Sequence, residues 1–172
     1  MLSIRKEGNT PAWGAVYEQY FQEIDKVKGQ KGVLSVEKKL FVETNNGTNR
    51  QIRPVTPEQP LRIGDKVIVR LTIRTDREMN YVFLKDLRAG CFEPADQLSS
   101  PESRDGIWYY RSPKDVSENF FINRLPEGTF VLEYPVYVSR SGEYAGGIST
   151  IQCMYAPEFV SHTAGESLRI MP

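Results

Sequence analysis

His162 is the single histidine of the chain, and Cys91 and Cys153 are its two cysteines. Those counts bound the chemistry. A serine or cysteine nucleophile needs a positioned base, and His162 sits in Val160-Ser161-His162-Thr163 with no G-x-S-x-G turn anywhere to present a serine. The histidine therefore reads as a loop residue. A tetrahedral metal site needs four ligands, yet the chain has no C-x-x-C and no H-x-x-x-H, so no metal is expected. The glycine-rich sequences whose backbone N–H groups cradle phosphate are absent too, and no cofactor is expected. Asp86 and Glu93 flank a loop as a glycosidase pair would, but 22 acidic residues make such pairs commonplace. The chain is expected not to be an enzyme.

Aromatic rings are the remaining candidates for contact chemistry. In Trp108-Tyr109-Tyr110, alternate residues of a strand share a face, so Trp108 and Tyr110 can form one aromatic surface. Such rings stack on sugars, although core packing is the commoner use of large aromatics. Asn46-Gly47-Thr48 matches a glycosylation acceptor, and a tight turn explains Asn46-Gly47 equally well. The cysteines either pair in an oxidising compartment or stay apart as buried thiols, and their rarity favours thiols. Lys plus Arg and Asp plus Glu each number 22, so the net charge is zero. That balance removes the driving term for nucleic-acid binding. No run of apolar residues is long enough to insert in a membrane. Met1 to Gly8 lacks the apolar stretch of a signal peptide, which fits either a cytosolic protein or a piece of a longer chain.

The elements that must position these residues follow from the hydrophobic spacing. The chain has 172 residues, 40% of them hydrophobic, enough for one medium domain. Its dominant period is two, the signature of strands. Val67, Val69, Leu71 and Ile73 alternate with wetter residues, as do Phe130, Leu132 and Val136 in the run around Pro135. Pro135 cannot donate to a ladder, which places that strand at an edge or a bulge. Leu34, Val36, Leu40 and Val42 share a face that Lys38 interrupts. Further strands are expected over Asn80–Leu87, Gly106–Arg111, Ser117–Ile122 and Glu143–Tyr155, with turns at Gly64-Asp65, Pro126-Glu127-Gly128 and Ser141-Gly142. Arg88 to Gly106 reads as a long connection between sheets. The fold class is all-β, an antiparallel sandwich. An additional N-terminal strand is expected over Ala12–Phe21, followed by a charged, glycine-containing linker at Asp25–Gly32. The division is thus 1–28, a strand segment of a preceding module plus linker, and 32–172, the main sandwich.

Several segments resemble the carboxy-terminal part of bacterial alpha-2-macroglobulin-like proteins. They begin with Ala12-Trp13-Gly14-Ala15-Val16-Tyr17 and Gln19-Tyr20-Phe21. They continue through Leu61, Gly64-Asp65, Val67, Asp76-Arg77, Tyr81-Val82, Asp86 and Ala89-Gly90 to Phe92-Glu93-Pro94, Phe120-Phe121, Leu125-Pro126-Glu127-Gly128 and Tyr134. They end in Gly142-Glu143-Tyr144 and Met154-Tyr155-Ala156-Pro157-Glu158, the most specific piece. The resemblance implies a macroglobulin or immunoglobulin-like sandwich belonging to a long proteinase trap of the periplasm or cell envelope. It implies no catalysis, docking on a thioester domain, and movement when a proteinase cleaves the bait region. Its partners would be other domains of the same chain and, through the whole protein, trapped proteinases. Met154 and Tyr155 would face the thioester domain. Cys91 and Cys153 depart from the family's pattern, and Cys91-Phe92-Glu93-Pro94 does not supply the family's Cys-x-x-Gln. The rival reading is a stand-alone carbohydrate-binding or adhesion module, supported by Trp108 and the nine tyrosines.

Overall fold

The computed structural model describes residues 5–11, 13, 14, 16, 19–46, 49–56 and 58–172. Its strands are β1 (Ser35–Asn46), β2 (Asn49–Pro54), β3 (Leu61–Arg62), β4 (Lys66–Thr75), β5 (Met79–Leu87), β6 (Phe92–Pro94) and β7 (Ser100–Arg104). The rest are β8 (Ile107–Pro113), β9 (Ser117–Leu125), β10 (Gly128–Val138), β11 (Gly142–Ala145), β12 (Ser149–Cys153), β13 (Ala156–His162) and β14 (Ser167–Met171). One sheet runs β2-β1-β4-β10-β6, and the other runs β13-β12-β5-β9-β8-β7. A small third sheet, β11-β14-β3, carries the parallel pair, β14 with β3. Buried side chains from both large sheets form one continuous core, which makes the molecule a sandwich.

The alternating runs land where their spacing requires. Val67, Val69, Leu71 and Ile73 on β4 are buried, and so are Phe130, Leu132 and Val136 on β10. The two strands pair with Leu132 opposite Leu71 and Val136 opposite Val67, so their inward side chains pack as cross-strand neighbours. Gly64, with φ +89°, makes the turn that delivers β4. Pro135 lies on the flank of β10 turned away from β4, since its carbonyl accepts from the Ala95 N–H at 3.4 Å. Only the Val136–Val138 end of that flank is covered, by β6. Further along it, the Asp105 carboxylate accepts the N–H of Val131 at 3.3 Å.

Other segments differ from expectation. Arg88–Gly106 is not a plain connection, because it contributes β6 and β7. Neither strand is readable from alternation, since Ser100-Pro101-Glu102-Ser103 has no apolar face and β6 is short. Glu143–Tyr155 forms two strands, broken at Gly146-Gly147. Gly147 has φ +73°, and a Cβ there would lie 2.2 Å from the Leu87 carbonyl oxygen. The N-terminal strand expected over Ala12–Phe21 is not present among the described residues of that stretch. Ala12, Ala15, Tyr17 and Glu18 lie outside the described residues. Trp13, Val16, Tyr20 and Phe21 are exposed, for an alternating aromatic stretch becomes a strand only beside a partner. The linker stretch is seated against the turn after β13. Gln30 bridges His162 through reciprocal backbone bonds, and the Gly165 N–H donates to the Val27 carbonyl. The first hairpin pairs Asn46 with Asn49, and Gly47 and Thr48 of the acceptor sequence lie outside the described residues.

Candidate docking surface

The outward face of the β13-β12-β5-β9-β8-β7 sheet carries a band of aromatic rings. On β8 the alternation buries Ile107 and Tyr109 and leaves Trp108 72% and Tyr110 47% exposed. Tyr110 stands opposite Phe121 of β9, and Phe121 stands opposite Phe83 of β5. The Phe83 and Phe121 rings stack with centroids 4.9 Å apart. Tyr81, about half exposed, meets the Tyr155 ring edge-on at 5.1 Å. Met154 and Tyr155 are the tip of the β12–β13 hairpin, since Cys153 pairs with Ala156. That tip is tied down by the Met154 N–H, which donates to the Tyr81 carbonyl at 2.9 Å. Tyr81 has φ +57°, a left-handed conformation that a bulky residue adopts only under constraint. Met154 is 56% exposed and Tyr155 is 81% exposed.

The two groups singled out from the sequence, Trp108 with Tyr110 and Met154 with Tyr155, thus lie at opposite ends of one band. Phe83, Phe121 and Tyr81 join them. Alternation puts Phe83 and Phe121 on the outer face, opposite Val82, Leu84, Phe120 and Ile122, whereas Tyr81 is exposed at the point where its left-handed backbone interrupts the alternation of β5. Their adjacency depends on register between strands, which a single sequence does not display.

Beneath the band the core is polar in two places. Lys38 points inward from β1, and its Nζ donates to Asp86 Oδ1 at 2.8 Å, to the Leu87 carbonyl at 3.0 Å and to the Gly146 carbonyl at 3.2 Å. Asp86 also accepts from Ser149 Oγ at 2.7 Å and from the Tyr134 hydroxyl. Burial, followed by the negative charge of Asp86, pushes the Tyr134 hydroxyl well above the ordinary tyrosine range. Next along, Glu118 is gripped by Arg88 Nη2 at 3.0 Å and Arg111 Nε at 2.7 Å. Asp86 and Glu118 are register partners on β5 and β9. Asp86 and Glu93 form no carboxylate pair of the kind glycosidases use, because Asp86 is committed to this buried cluster and Glu93 is exposed on β6. Cys91 and Cys153 are both free and buried. Burial pushes the Cys91 thiol up to about 11, and the Cys153 sulfur contacts the Asn80 carbonyl at 3.3 Å. Among the described residues no group of His, Cys, Asp and Glu is arranged to hold a metal ion, and no helix is long and apolar enough to cross a membrane.

Residues 34–158 match the family described as the bacterial alpha-2-macroglobulin MG10 domain. The chain belongs to that family. Solved alpha-2-macroglobulins share the fold. Salmonella alpha-2-macroglobulin reacted with methylamine superposes with a TM-score of 0.65 at 21% identity, covering 84% of this chain and 10% of that one. Native alpha-2-macroglobulin from Escherichia coli, spanning domain MG7 to the C-terminus, gives a TM-score of 0.64 at 17% identity, covering 84% of this chain and 24% of that one. The chain is also 28% identical over 109 residues to circularly permutated Ras protein 2 of Dictyostelium discoideum, covering 63% of this chain and 3% of that protein. The chain thus spans between 3% and 24% of the length of these proteins. The matched MG10 span takes in Lys38, Asp86, the whole aromatic band and the Met154–Tyr155 tip, and it ends before β14.

Proposed function

We propose that this MG10 domain is a docking element of a long alpha-2-macroglobulin-like proteinase trap in the periplasm or cell envelope. Residues 1–28 would belong to the module before it. The aromatic band is placed against the neighbouring thioester domain, with the Met154–Tyr155 tip as its leading edge. On bait cleavage by a proteinase the contact is released and the domain moves. The observation that carries this reading is the exposure of Met154 and Tyr155 on a hairpin tip that their own sandwich fixes but does not cover. A contiguous exposed aromatic surface on a folded domain marks a contact with another protein. Met154 suits an irregular apolar seam because its side chain is unbranched and demands no hydrogen bond. Tyr155 adds a rigid ring with a polar end for the rim.

The experiment uses a longer chain that includes the upstream domain. Met154→Ala and Tyr155→Ala are expected to leave the denaturant midpoint of the isolated 172-residue chain within about 0.5 kcal/mol of wild type, as exposed sites do. In the longer chain they should loosen the interdomain contact, seen as faster hydrogen exchange across the band. If the parent chain carries a thioester, its hydrolysis should accelerate. Unfolding of the isolated chain by either change, or unaltered exchange in the longer one, would sink the docking role. Trp108 and Tyr110 at the far end of the band support a second reading, sugar binding. That reading requires Trp108→Ala to abolish retention on a neutral polysaccharide.

A further inference from the structure

We propose that Lys38 and Asp86 become joined by an intramolecular amide bond that links the two sheets through the core. β1 belongs to one large sheet and β5 to the other, so the contact between these side chains spans the sandwich. Lys38 breaks the apolar face of β1, and packing does not explain a lysine there. Its side chain is 5% exposed and that of Asp86 is 0% exposed, with Nζ and Oδ1 2.8 Å apart.

Transfer of one proton from the ammonium to the carboxylate leaves an amine and a carboxylic acid already in contact. That neutral pair can react, and fixed proximity replaces the encounter that would otherwise limit it. The Nζ lone pair attacks Cγ of Asp86, and the new C–N bond pushes negative charge onto one carboxyl oxygen. Oδ2 is the oxygen equipped to carry it, because the Tyr134 hydroxyl donates there. Oδ1 then leaves as water, taking a second proton from Nζ. Nζ lies against Oδ1 and hands that proton over directly, while the Ser149 hydroxyl, 2.7 Å from Oδ1, donates to the departing oxygen. The third nitrogen-bound hydrogen stays on the amide, with the Leu87 and Gly146 carbonyls in position to accept it. Ammonium plus carboxylate gives amide plus water, and no oxidant, reductant or cofactor enters. A core closed to solvent withholds the water that would reverse the step.

This inference is independent of the docking role. Its test is the intact mass of the purified, folded 172-residue chain measured under denaturing conditions. The expected mass is lower than the sequence mass by one water, and digestion should yield a branched peptide joining Lys38 to Asp86. Lys38→Arg should restore the sequence mass. Asp86→Asn, nearly the same size, should lose ammonia instead of water. Tyr134→Phe should slow the conversion while leaving the sheet signal in circular dichroism. A folded wild-type chain that keeps its full sequence mass through prolonged incubation overturns the proposal and leaves the pair as an ordinary buried salt bridge.

Discussion

Charges survive in a β-sandwich core only where each proton and lone pair has a partner, because removing one member strands the other away from water. Glu118 shows the balance. Burial raises its carboxyl above the ordinary value, and the attraction of Arg111 and Arg88 pulls against that rise. Glu133 is a more tractable case. It sits on β10 between Arg70 Nε at 2.6 Å and Arg104 Nη2 at 2.9 Å, and so ties β4 to the far end of β7. Burial pushes its carboxyl up, but the hydrogen bonds from the two arginines more than reverse this, leaving it below the usual 4.5. A carboxylate whose pKa falls on folding stabilises the native state above its unfolded value. That stabilisation is lost as the pH drops through the folded value. Urea titrations of wild type and Glu133→Gln should therefore differ most at neutral pH, with wild type the more stable. The gap should close progressively below pH 4.5. A gap that persists unchanged at pH 2–3 would mean that the carboxylate's charge is not what matters.

At the scale of elements, β4 is the centre of its sheet, flanked by β1 and β10. Leu71 is fully buried opposite Leu132, so Leu71→Ala should cost about 2–5 kcal/mol, read from the shift in denaturant midpoint. A loss below about 1 kcal/mol would mean that the site collapses onto the gap. β4 and β10 were legible from alternation, and β1 from an alternation that Lys38 interrupts, because their apolar sides turn to the core. β5 and β9 were legible only as apolar runs between turns. β7 was not, since an edge strand made of Ser, Pro and Glu buries almost nothing and its pairing comes from β8. Lys38 was visible as an interruption, but its meaning depends on Asp86, 48 positions away on the opposite sheet. The same holds for the band: Trp108 and Tyr110 announce themselves as neighbours in sequence, whereas Phe83 and Phe121 become neighbours only through the β5–β9 register.

For the whole molecule, the band turns one sheet face into a surface with an unmet apolar demand. Trp13 and Trp108, the chain's two tryptophans, are both solvent-exposed in the described structure. Acrylamide should therefore quench the emission of the isolated chain nearly completely. In a longer chain with its neighbouring domain docked, Trp108 should become shielded and its emission should shift to the blue, and a Trp13→Phe background isolates that signal. Equal quenching in both settings would argue that the face stays bare. The other large sheet has a different problem, since β6 covers only one end of the outer flank of β10. An uncovered row of backbone donors invites a strand from another copy, and with it aggregation. Pro135 offers no donor on that flank, and the Val131 donor is already spoken for by Asp105. Two small local devices, a ring in place of an N–H and a carboxylate laid over its neighbour, thus take two donors away from any strand that would add to this flank.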